Sequence, residues 1–139
     1  MENNNDVLVH YGTLGMKWGV RRAYKTLGNS SASSEKKAKA VTKIQRSQEK
    51  ASAKLNNLDQ KATKKISTAV KRKYGWGGGQ KAYEKAKWKA DRQAYKARNW
   101  YNAMQKTFDG KSMSKISDSD KAIGKKYIDY FMQTSEITN

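Results

Sequence analysis

The stretch KRKYGWGGGQ, residues 71–80, decides how the chain folds, because it holds four glycines within five positions. A glycine in a helix interior costs about 1 kcal/mol relative to alanine, so a cluster of glycines ends a helix. On both sides of the cluster, apolar residues recur at intervals of three and four, which is typical of an amphipathic helix. The sequence therefore predicts two helices joined by a glycine-rich turn at Gly75–Gly79.

The helix before this turn has a heptad pattern. We expect it to begin at Ser33 or Ser34, since serine caps helix N-termini, and to end near Tyr74. A helix of about 40 residues is about 60 Å long at 1.5 Å per residue. Glutamine and alanine occupy several core-facing positions, so the predicted core is thin. These positions are Val41, Ile44, Gln48, Ala51, Leu55, Leu58 and Ala62, followed after a register slip by Ile66, Ala69 and Val70.

The helix after the turn is predicted from Gln80 to Phe108, with a similar period. Two helices of matching period joined by a tight turn favour an antiparallel αα-hairpin. The alternative is that the helices diverge and each packs on a neighbouring subunit, and the sequence leaves this choice open. The core-facing positions are Tyr83, Ala86, Ala90, Ala94, Ala97, Tyr101, Met104 and Phe108, and a second aromatic strip contains Trp88, Tyr95 and Trp100.

The remaining segments are shorter. Ser117–Asp120 predicts the cap of a third helix that extends to about Gln133 and buries Ile123, Tyr127, Ile128 and Phe131. The predicted organisation is an N-terminal arm and docking hook (1–28), a flexible Ser-rich linker (29–34), two long basic helices (35–110) and a C-terminal short helix with its tail (111–139). The fold class is all-α: a long helical hairpin or extended helices plus a short C-terminal helix, with an irregular Gly-rich N-terminal hook.

The chain is strongly basic. Thirty Lys and Arg face 12 Asp and Glu over 139 residues, a formal net charge of +18, and residues 35–80 alone hold 13 basic against 3 acidic residues. With a mean hydropathy of −1.05, such a chain buries little apolar surface, so we expect it to gain order from partners and to bind a polyanion. Lysine acts as a point charge, which favours double-stranded DNA contacted without sequence preference. The predicted contact residues, mostly off the heptad positions, are Lys43, Arg46, Lys50, Lys54, Lys64, Lys65, Lys71, Arg72, Lys73, Lys85, Lys89 and Arg92.

The sequence offers little for catalysis, metal binding or membrane insertion. It has one histidine, His10, and no cysteine, so we predict no catalytic residue, no metal site and no cofactor, and we expect the protein not to be an enzyme. The turn at Gly75–Gly79 lacks the Lys-Ser/Thr ending of a phosphate-binding loop, which favours a hinge. No run of 18 apolar residues predicts a membrane span, and the polar first residues do not resemble a secretory signal.

The aromatic residues of the second long helix allow two interpretations. Aromatic side chains among lysines can stack on the bases of a single strand. At helical spacing they are more typical of a core or a subunit interface, which is the interpretation favoured here. The residues concerned are Tyr83, Trp88, Tyr95, Trp100 and Tyr101.

Residues 10–22, HYGTLGMKWGVRR, are the least generic part of the chain, and we call them the N-terminal motif. Glycines at positions 12, 15 and 19 are too frequent for a stable helix interior, and the residues do not alternate as in a strand. We therefore expect an irregular hook whose apolar side chains need a partner surface.

This motif resembles a short motif found near one end of otherwise dissimilar virion proteins of tailed bacteriophages, of the head-interior or inner-core type. The resemblance covers about a tenth of the 139 residues. It implies a place inside the phage head, docking on a portal or capsid protein, and proximity to packaged double-stranded DNA. The matching residues are His10, Gly12, Gly15, Met16, Lys17, Trp18, Gly19, Arg21 and Arg22.

Three functions are compatible with these observations. The first is a virion structural protein of the head interior, present in multiple self-associating copies near the portal, whose thin core would suit ejection with the genome. The second is a free protein that condenses nucleic acid non-specifically. The third is a basic amphipathic protein that contacts the membrane during DNA delivery, since Trp, Tyr and Lys together suit a membrane surface.

Overall fold

The computed structural model describes residues 13–75, 79–108 and 116–138, with side chains described for 20–75, 79–108 and 116–133. No strand occurs in these ranges, and the predicted all-α class is confirmed. The four helices are α1 (Thr13–Leu27), α2 (Ser34–Lys73), α3 (Gly79–Phe108) and α4 (Asp118–Thr138).

Helix α1 corrects the expectation for the N-terminal motif. The irregular hook predicted over residues 10–22 is instead helical from Thr13 onward. Val20 and Ala23 lie on one face of α1 and are buried, so their packing offsets the helix penalty of the glycines. The helix stops at Gly28, whose N–H donates to the Tyr24 carbonyl at 3.0 Å.

The N-terminus of α2 lies where the serine signal placed it. The Ser33 hydroxyl accepts a hydrogen bond from the Lys36 N–H at 3.2 Å, and the Ser33 carbonyl accepts one from the Lys37 N–H at 3.0 Å. Glu35 in the first turn and Lys71–Lys73 in the last turn both complement the helix dipole. These local interactions fix the two ends of a 40-residue helix.

The glycine-rich turn ends α2 and starts α3. Gly75 has a φ of 88°, and its N–H donates to the Arg72 carbonyl at 3.3 Å. Gly79, the first residue of α3, has a φ of 67°. Both values lie in the left-handed region that glycine adopts without strain, so the sequence supplies glycine where the backbone requires it.

The third predicted helix, α4, begins as expected and ends later than expected. The Ser117 hydroxyl caps it by accepting from the Asp120 N–H at 3.1 Å, and the Ser117 carbonyl accepts from the Lys121 N–H at 2.9 Å. The sequence predicts an end near Gln133, whereas the helix continues to Thr138. No glycine or proline lies between these residues to stop it.

The chain divides into two compact units. Unit 1 contains the described residues of 1–53 and 103–116, and unit 2 contains those of 54–102 and 117–139. The buried apolar residues of unit 1 are Val20, Ala23, Ala40, Ile44, Ala51, Met104, Phe108 and Ile116. Those of unit 2 are Leu55, Ala62, Ala69, Ala90, Ala94, Ala97, Trp100, Tyr101 and Tyr127.

Unit 2 contains an antiparallel helix pair, which settles the question that the sequence left open. Ala62 of α2 shares a buried cluster with Ala94 and Ala97 of α3, and Lys54, two turns earlier in α2, lies over the ring of Trp100, later in α3. The two helices therefore run in opposite directions and pair within one chain.

Helix α4 completes unit 2 as a third helix. Tyr127 belongs to the same buried cluster, and Ile123 and Phe131 pack against it. Gly124 lies so close to Tyr101 of α3 that an added Cβ would overlap the tyrosine ring. The absence of a side chain at Gly124 therefore sets how closely α4 approaches α3.

Candidate nucleic-acid interface

The twelve predicted contact residues all lie on the surface. Each of them is exposed, from Lys43 and Arg46 in unit 1 to Lys85, Lys89 and Arg92 in unit 2. Their exposure follows from the heptad pattern, because the core-facing positions of the same helices carry the apolar residues.

Four basic residues of α2 in unit 1 form a continuous row. Lys39, Lys43, Arg46 and Lys50 follow one another at intervals of four, three and four, and line one open groove along the helix. The row extends for about 16 Å at 1.5 Å per residue. Ala40, a neighbour in sequence, lies on a different face of α2 and is buried. This arrangement, the α2 basic row, presents a line of cations to solvent.

A second basic concentration lies where α2 ends and α3 begins, in unit 2. Lys71, Arg72 and Lys73 form the last turn of α2, and the first turn of α3 contains no acidic residue. Arg72, Lys73, Gln80 and Tyr83 line a shallow concavity there. Positive charge from the side chains and from the N-terminus of α3 therefore coincides at this end of the unit.

Carboxylates of unit 2 pair with lysines outside the predicted contact set. Asp91 binds Lys87 at 3.0 Å, Asp129 binds Lys125 at 2.7 Å and Asp59 binds Lys126 at 2.9 Å. These ion pairs engage three of the chain's 12 acidic residues with lysines outside the predicted contact set. The twelve predicted contact residues take no part in them.

The aromatic residues of α3 separate into two environments. Trp100 and Tyr101 are buried, which fits the core interpretation favoured for them, but Trp100 does not share the environment of Trp88 and Tyr95 in the predicted second strip. Trp88 is 61% exposed and Tyr95 is 48% exposed. The guanidinium of Arg92 lies over the Trp88 ring, 5.5 Å from its centroid. Two aromatic side chains thus remain on the surface among cations.

Two aspartates that sequence reasoning missed hold α4 in place. The Asp59 carboxylate of α2 accepts hydrogen bonds from the Tyr127 hydroxyl and, at 2.9 Å, from the Lys126 ammonium. The Asp91 carboxylate of α3 accepts one from the Tyr130 hydroxyl. Each contact joins helices that are far apart in sequence, so no local spacing could have revealed it.

The contact around Asp59 shifts the pKa values of its members. Burial alone would raise the pKa of Asp59, but hydrogen bonds from Tyr127 and Lys126 lower it overall. Burial raises the pKa of Tyr127, and its hydrogen bond to Asp59 raises it further. Burial opposes the charge of Lys126, yet its hydrogen bond to Asp59 raises its pKa above the ordinary value.

The structure describes the N-terminal motif in part. Arg21 and Arg22 are exposed on α1, and Val20 between the motif's last glycine and these arginines is buried. Helix α1 includes Gly15, Met16, Lys17, Trp18 and Gly19. His10 and Gly12 lie outside the described residues.

The described ranges contain no cluster of three His, Asp or Glu side chains that could hold a metal ion. None of the helices in these ranges has an apolar stretch long enough to cross a bilayer. The chemical groups that the described surface does concentrate are lysine and arginine, with the exposed aromatic rings of Tyr74, Trp88 and Tyr95 among them.

Comparison with known proteins adds one similarity. Residues 1–25 match a family of unknown function, DUF7211. The match covers less than a fifth of the 139 residues and includes the N-terminal motif and most of α1. No curated protein and no solved structure matches the chain.

Proposed function

We propose that this protein is a structural component of the interior of a tailed-phage head, where it contacts packaged double-stranded DNA without sequence preference. The observation that carries the DNA contact is the exposure of all twelve predicted contact residues on α2 and α3. The formal net charge of +18 means that a polyanion relieves repulsion within the protein as well as binding it.

The α2 basic row explains how such contact arises without reading bases. Each Lys or Arg that meets a phosphate releases condensed counterions, which drives binding to any sequence. Three of the four residues in the row are lysines, which meet phosphates as point charges and lack the fork with which arginine reads guanine. Affinity that depends on salt and ignores sequence is the expected result.

The setting in a virion rests on the N-terminal motif. Its resemblance to motifs of head-interior proteins supports docking on a portal or capsid protein. Arg21 and Arg22 lie exposed on α1 and are suitably placed to orient such a contact. The long helices would then face the packaged genome, in multiple copies of the chain near the portal, with release alongside the genome at ejection.

The DNA contact is tested with two variants that remove the same charge. Lys43→Gln/Lys50→Gln removes two cations of the α2 basic row, and Lys121→Gln/Lys125→Gln removes two from α4, where acidic residues compensate them. Binding of a random-sequence duplex is measured across a salt series. The logarithmic salt slope should fall in magnitude by about 2 for the first variant, because each lost phosphate contact contributes about 0.9. It should stay unchanged for the second.

Equal slopes for both variants, or affinity that ignores salt, would contradict the electrostatic contact. A measurable preference for one duplex sequence over others would contradict the absence of base reading.

The head location is tested separately by protein mass spectrometry of washed, density-purified particles of the phage that encodes the chain. We expect many copies per particle, and Trp18→Ala should abolish incorporation while helix content by circular dichroism stays the same. Absence from particles, combined with retained DNA binding, would replace the proposal with a free nucleic-acid-condensing protein. If a variant is packaged normally but no longer contacts the membrane at infection, that result would favour the membrane-active alternative.

A further inference from the structure

The outer face of α3 carries aromatic rings that the duplex contact does not use. Trp88, Arg92 and Tyr95 follow one another at intervals of four and three, so they lie on one side of the helix. Ala90, Ala94 and Ala97 are buried on the opposite side. We call the exposed set the α3 aromatic row. The two rings are separated by about 10 Å along the helix axis.

Cations surround the row. Lys81 and Lys85 precede Trp88 by seven and three residues, and Lys96 follows Tyr95. All three are exposed, and no ion pair engages them in the part of the chain that the structure describes. The row therefore combines flat apolar surfaces with unneutralised positive charge.

The rings are held by stacked guanidinium groups. Arg92 lies over Trp88 at 5.5 Å, and Arg98 lies over Tyr95 at 4.9 Å and over Phe131 of α4 at 4.7 Å. Phe131 also meets Tyr95 edge-on, with ring centroids 6.4 Å apart. The buried Nε of Arg98 has no hydrogen-bond partner among the described residues. Stacking holds this guanidinium and the Tyr95 ring in a defined arrangement before any ligand arrives.

We propose that the α3 aromatic row binds single-stranded nucleic acid, with unpaired bases stacked on Trp88 and Tyr95 and phosphates contacted by Lys81, Lys85 and Arg92. Aromatic rings spaced along a basic surface bind unpaired bases because every base presents a flat π face. A base-paired duplex hides those faces. The α3 aromatic row would therefore bind unpaired strands, a class of ligand that the duplex contact does not bind.

Charge and geometry favour this occupant over two others. A second copy of the chain would bring its own row of cations against this one, at a net charge of +18 per chain. A bilayer takes up a helix by its apolar face, and the apolar face of α3 is buried in the unit. A flexible single strand carries negative phosphates and exposed flat bases. It therefore complements both the positive charge and the two aromatic side chains of the row.

The test compares an oligothymidine with an abasic strand of the same length and charge, both labelled for fluorescence anisotropy. Stacking strengthens binding by about fivefold or more per base, so the wild-type protein should bind the oligothymidine at least about fivefold more tightly than the abasic strand. Trp88→Ala/Tyr95→Ala should bring the ratio close to one. Trp88 is 61% exposed and Tyr95 is 48% exposed; because Tyr95 also contacts Arg98 and Phe131, circular dichroism and thermal unfolding check that the fold is retained.

Tyr74→Ala is the matched control, because Tyr74 is an aromatic residue that is 71% exposed and lies outside the row. Its base-to-abasic ratio should equal that of the wild type. A wild-type ratio of one, or a ratio that survives in Trp88→Ala/Tyr95→Ala, would overturn the proposal. So would binding of anionic phosphatidylglycerol vesicles that depends on Trp88 when the ratio is one. Duplex affinity and its salt slope should be the same in all three proteins, so failure here is distinguishable from failure of the duplex contact.

Discussion

The two units of the molecule are stabilised by different means. Of the seven largest fully buried side chains, unit 1 holds five: Val20, Ile44, Met104, Phe108 and Ile116. Unit 2 holds Leu55 and Tyr127, and its remaining buried positions on α2 and α3 are mostly alanines. Unit 1 therefore depends mainly on large aliphatic side chains and Phe108, whereas unit 2 combines alanines, which let its helices approach closely, with the buried aromatic side chains of Trp100, Tyr101 and Tyr127.

This difference decides where each unit gains its free energy. A buried Ile, Phe or Trp removes far more apolar surface from water than a buried Ala, so the hydrophobic contribution in unit 2 comes from Leu55 and its three buried aromatic residues and not from its alanines. Alanine contributes little area but lets helices approach, and hydrogen bonds to Asp59 and Asp91 then join α4 to the other two helices. Unit 2 can consequently keep its outer surface polar and charged while still holding three helices together.

Phe108→Ala gives the largest expected effect, because Phe108 is the largest apolar side chain fully buried in unit 1. The expected loss in free energy of unfolding is about 3–5 kcal/mol, from lost apolar burial and the cavity left behind. Hydrogen exchange should show that peptides of α1 and of residues 34–53 lose more protection than those of α4.

Met132→Ala in unit 2 is the control, since this side chain is 57% exposed and its loss should change stability by no more than about 0.5 kcal/mol. Equal loss of protection in both units after Phe108→Ala would mean that they unfold as one, and the contrast between them would fail.

Gly124→Ala tests the close approach in unit 2. The added methyl group overlaps the buried ring of Tyr101, so α4 must shift away from α3. We expect a loss of about 1–3 kcal/mol, as for other overpacked sites, despite the better helix propensity of alanine. Thermal unfolding followed by circular dichroism measures it.

Gly28→Ala is the matched control, because a Cβ there meets only ordinary contacts with the carbonyls of Tyr24 and Lys25. Tyr101→Leu in the Gly124→Ala background should recover part of the loss by making room. If Gly124→Ala were as stable as the wild type, the helix spacing would not depend on this glycine.

Tyr127→Phe and Tyr130→Phe compare the two hydroxyls that join α4 to the rest of unit 2. Each removes a hydrogen bond to an aspartate and keeps the ring, at a cost of about 1 kcal/mol. The cost should be larger for Tyr127, since the Asp59 side chain is 23% exposed and the Asp91 side chain 37%. Chemical denaturation of both variants beside the wild type gives the difference, and the opposite order would show that burial does not set it.

Much of the fold was predictable because its signals are local. Ser33, Ser117 and the glycines at 75 and 79 act within a few residues of themselves, and both ends of α2 and the starts of α3 and α4 follow from them. Helix α1 was missed because packing of Val20 overrides the propensity of the nearby glycines. The end of α4 was missed because no residue after Gln133 gives a stop signal.

The features of the candidate site likewise separate into those that local sequence predicts and those that it does not. Exposure of the cations follows from a heptad pattern, which is a property of each helix alone. The contacts of Asp59 with Tyr127 and of Asp91 with Tyr130 span 68 and 39 residues of sequence, so they depend on how three helices assemble. For the same reason sequence reasoning could not separate the exposed Trp88 from the buried Trp100.

The last prediction is a loss of stability in unit 2 at alkaline pH. Burial and a hydrogen bond to Asp91 raise the pKa of Tyr130 well above its usual range, and the pKa values of Tyr127 and Lys126 are raised as well. A raised pKa favours the folded state only while the group is protonated. The stability it contributes is complete below about pH 10, where the unfolded tyrosines begin to titrate, and is lost as the pH rises further.

Hydrogen exchange corrected for pH, or denaturation at a series of pH values from about 9 upward, should therefore show unit 2 weakening once tyrosine titrates in the unfolded state, near pH 10. Tyr127→Phe/Tyr130→Phe should have a shallower decline with pH, because only Lys126 then remains to lose its proton at this contact. The ultraviolet absorbance of tyrosinate gives an independent readout, since the late-titrating part of the wild-type curve should shrink in the double variant by the contribution of these two tyrosines. An unchanged decline in that variant would place the alkaline sensitivity outside the α4 contacts. The claim that hydrogen bonds to Asp59 and Asp91 hold α4 in unit 2 would then lose its support.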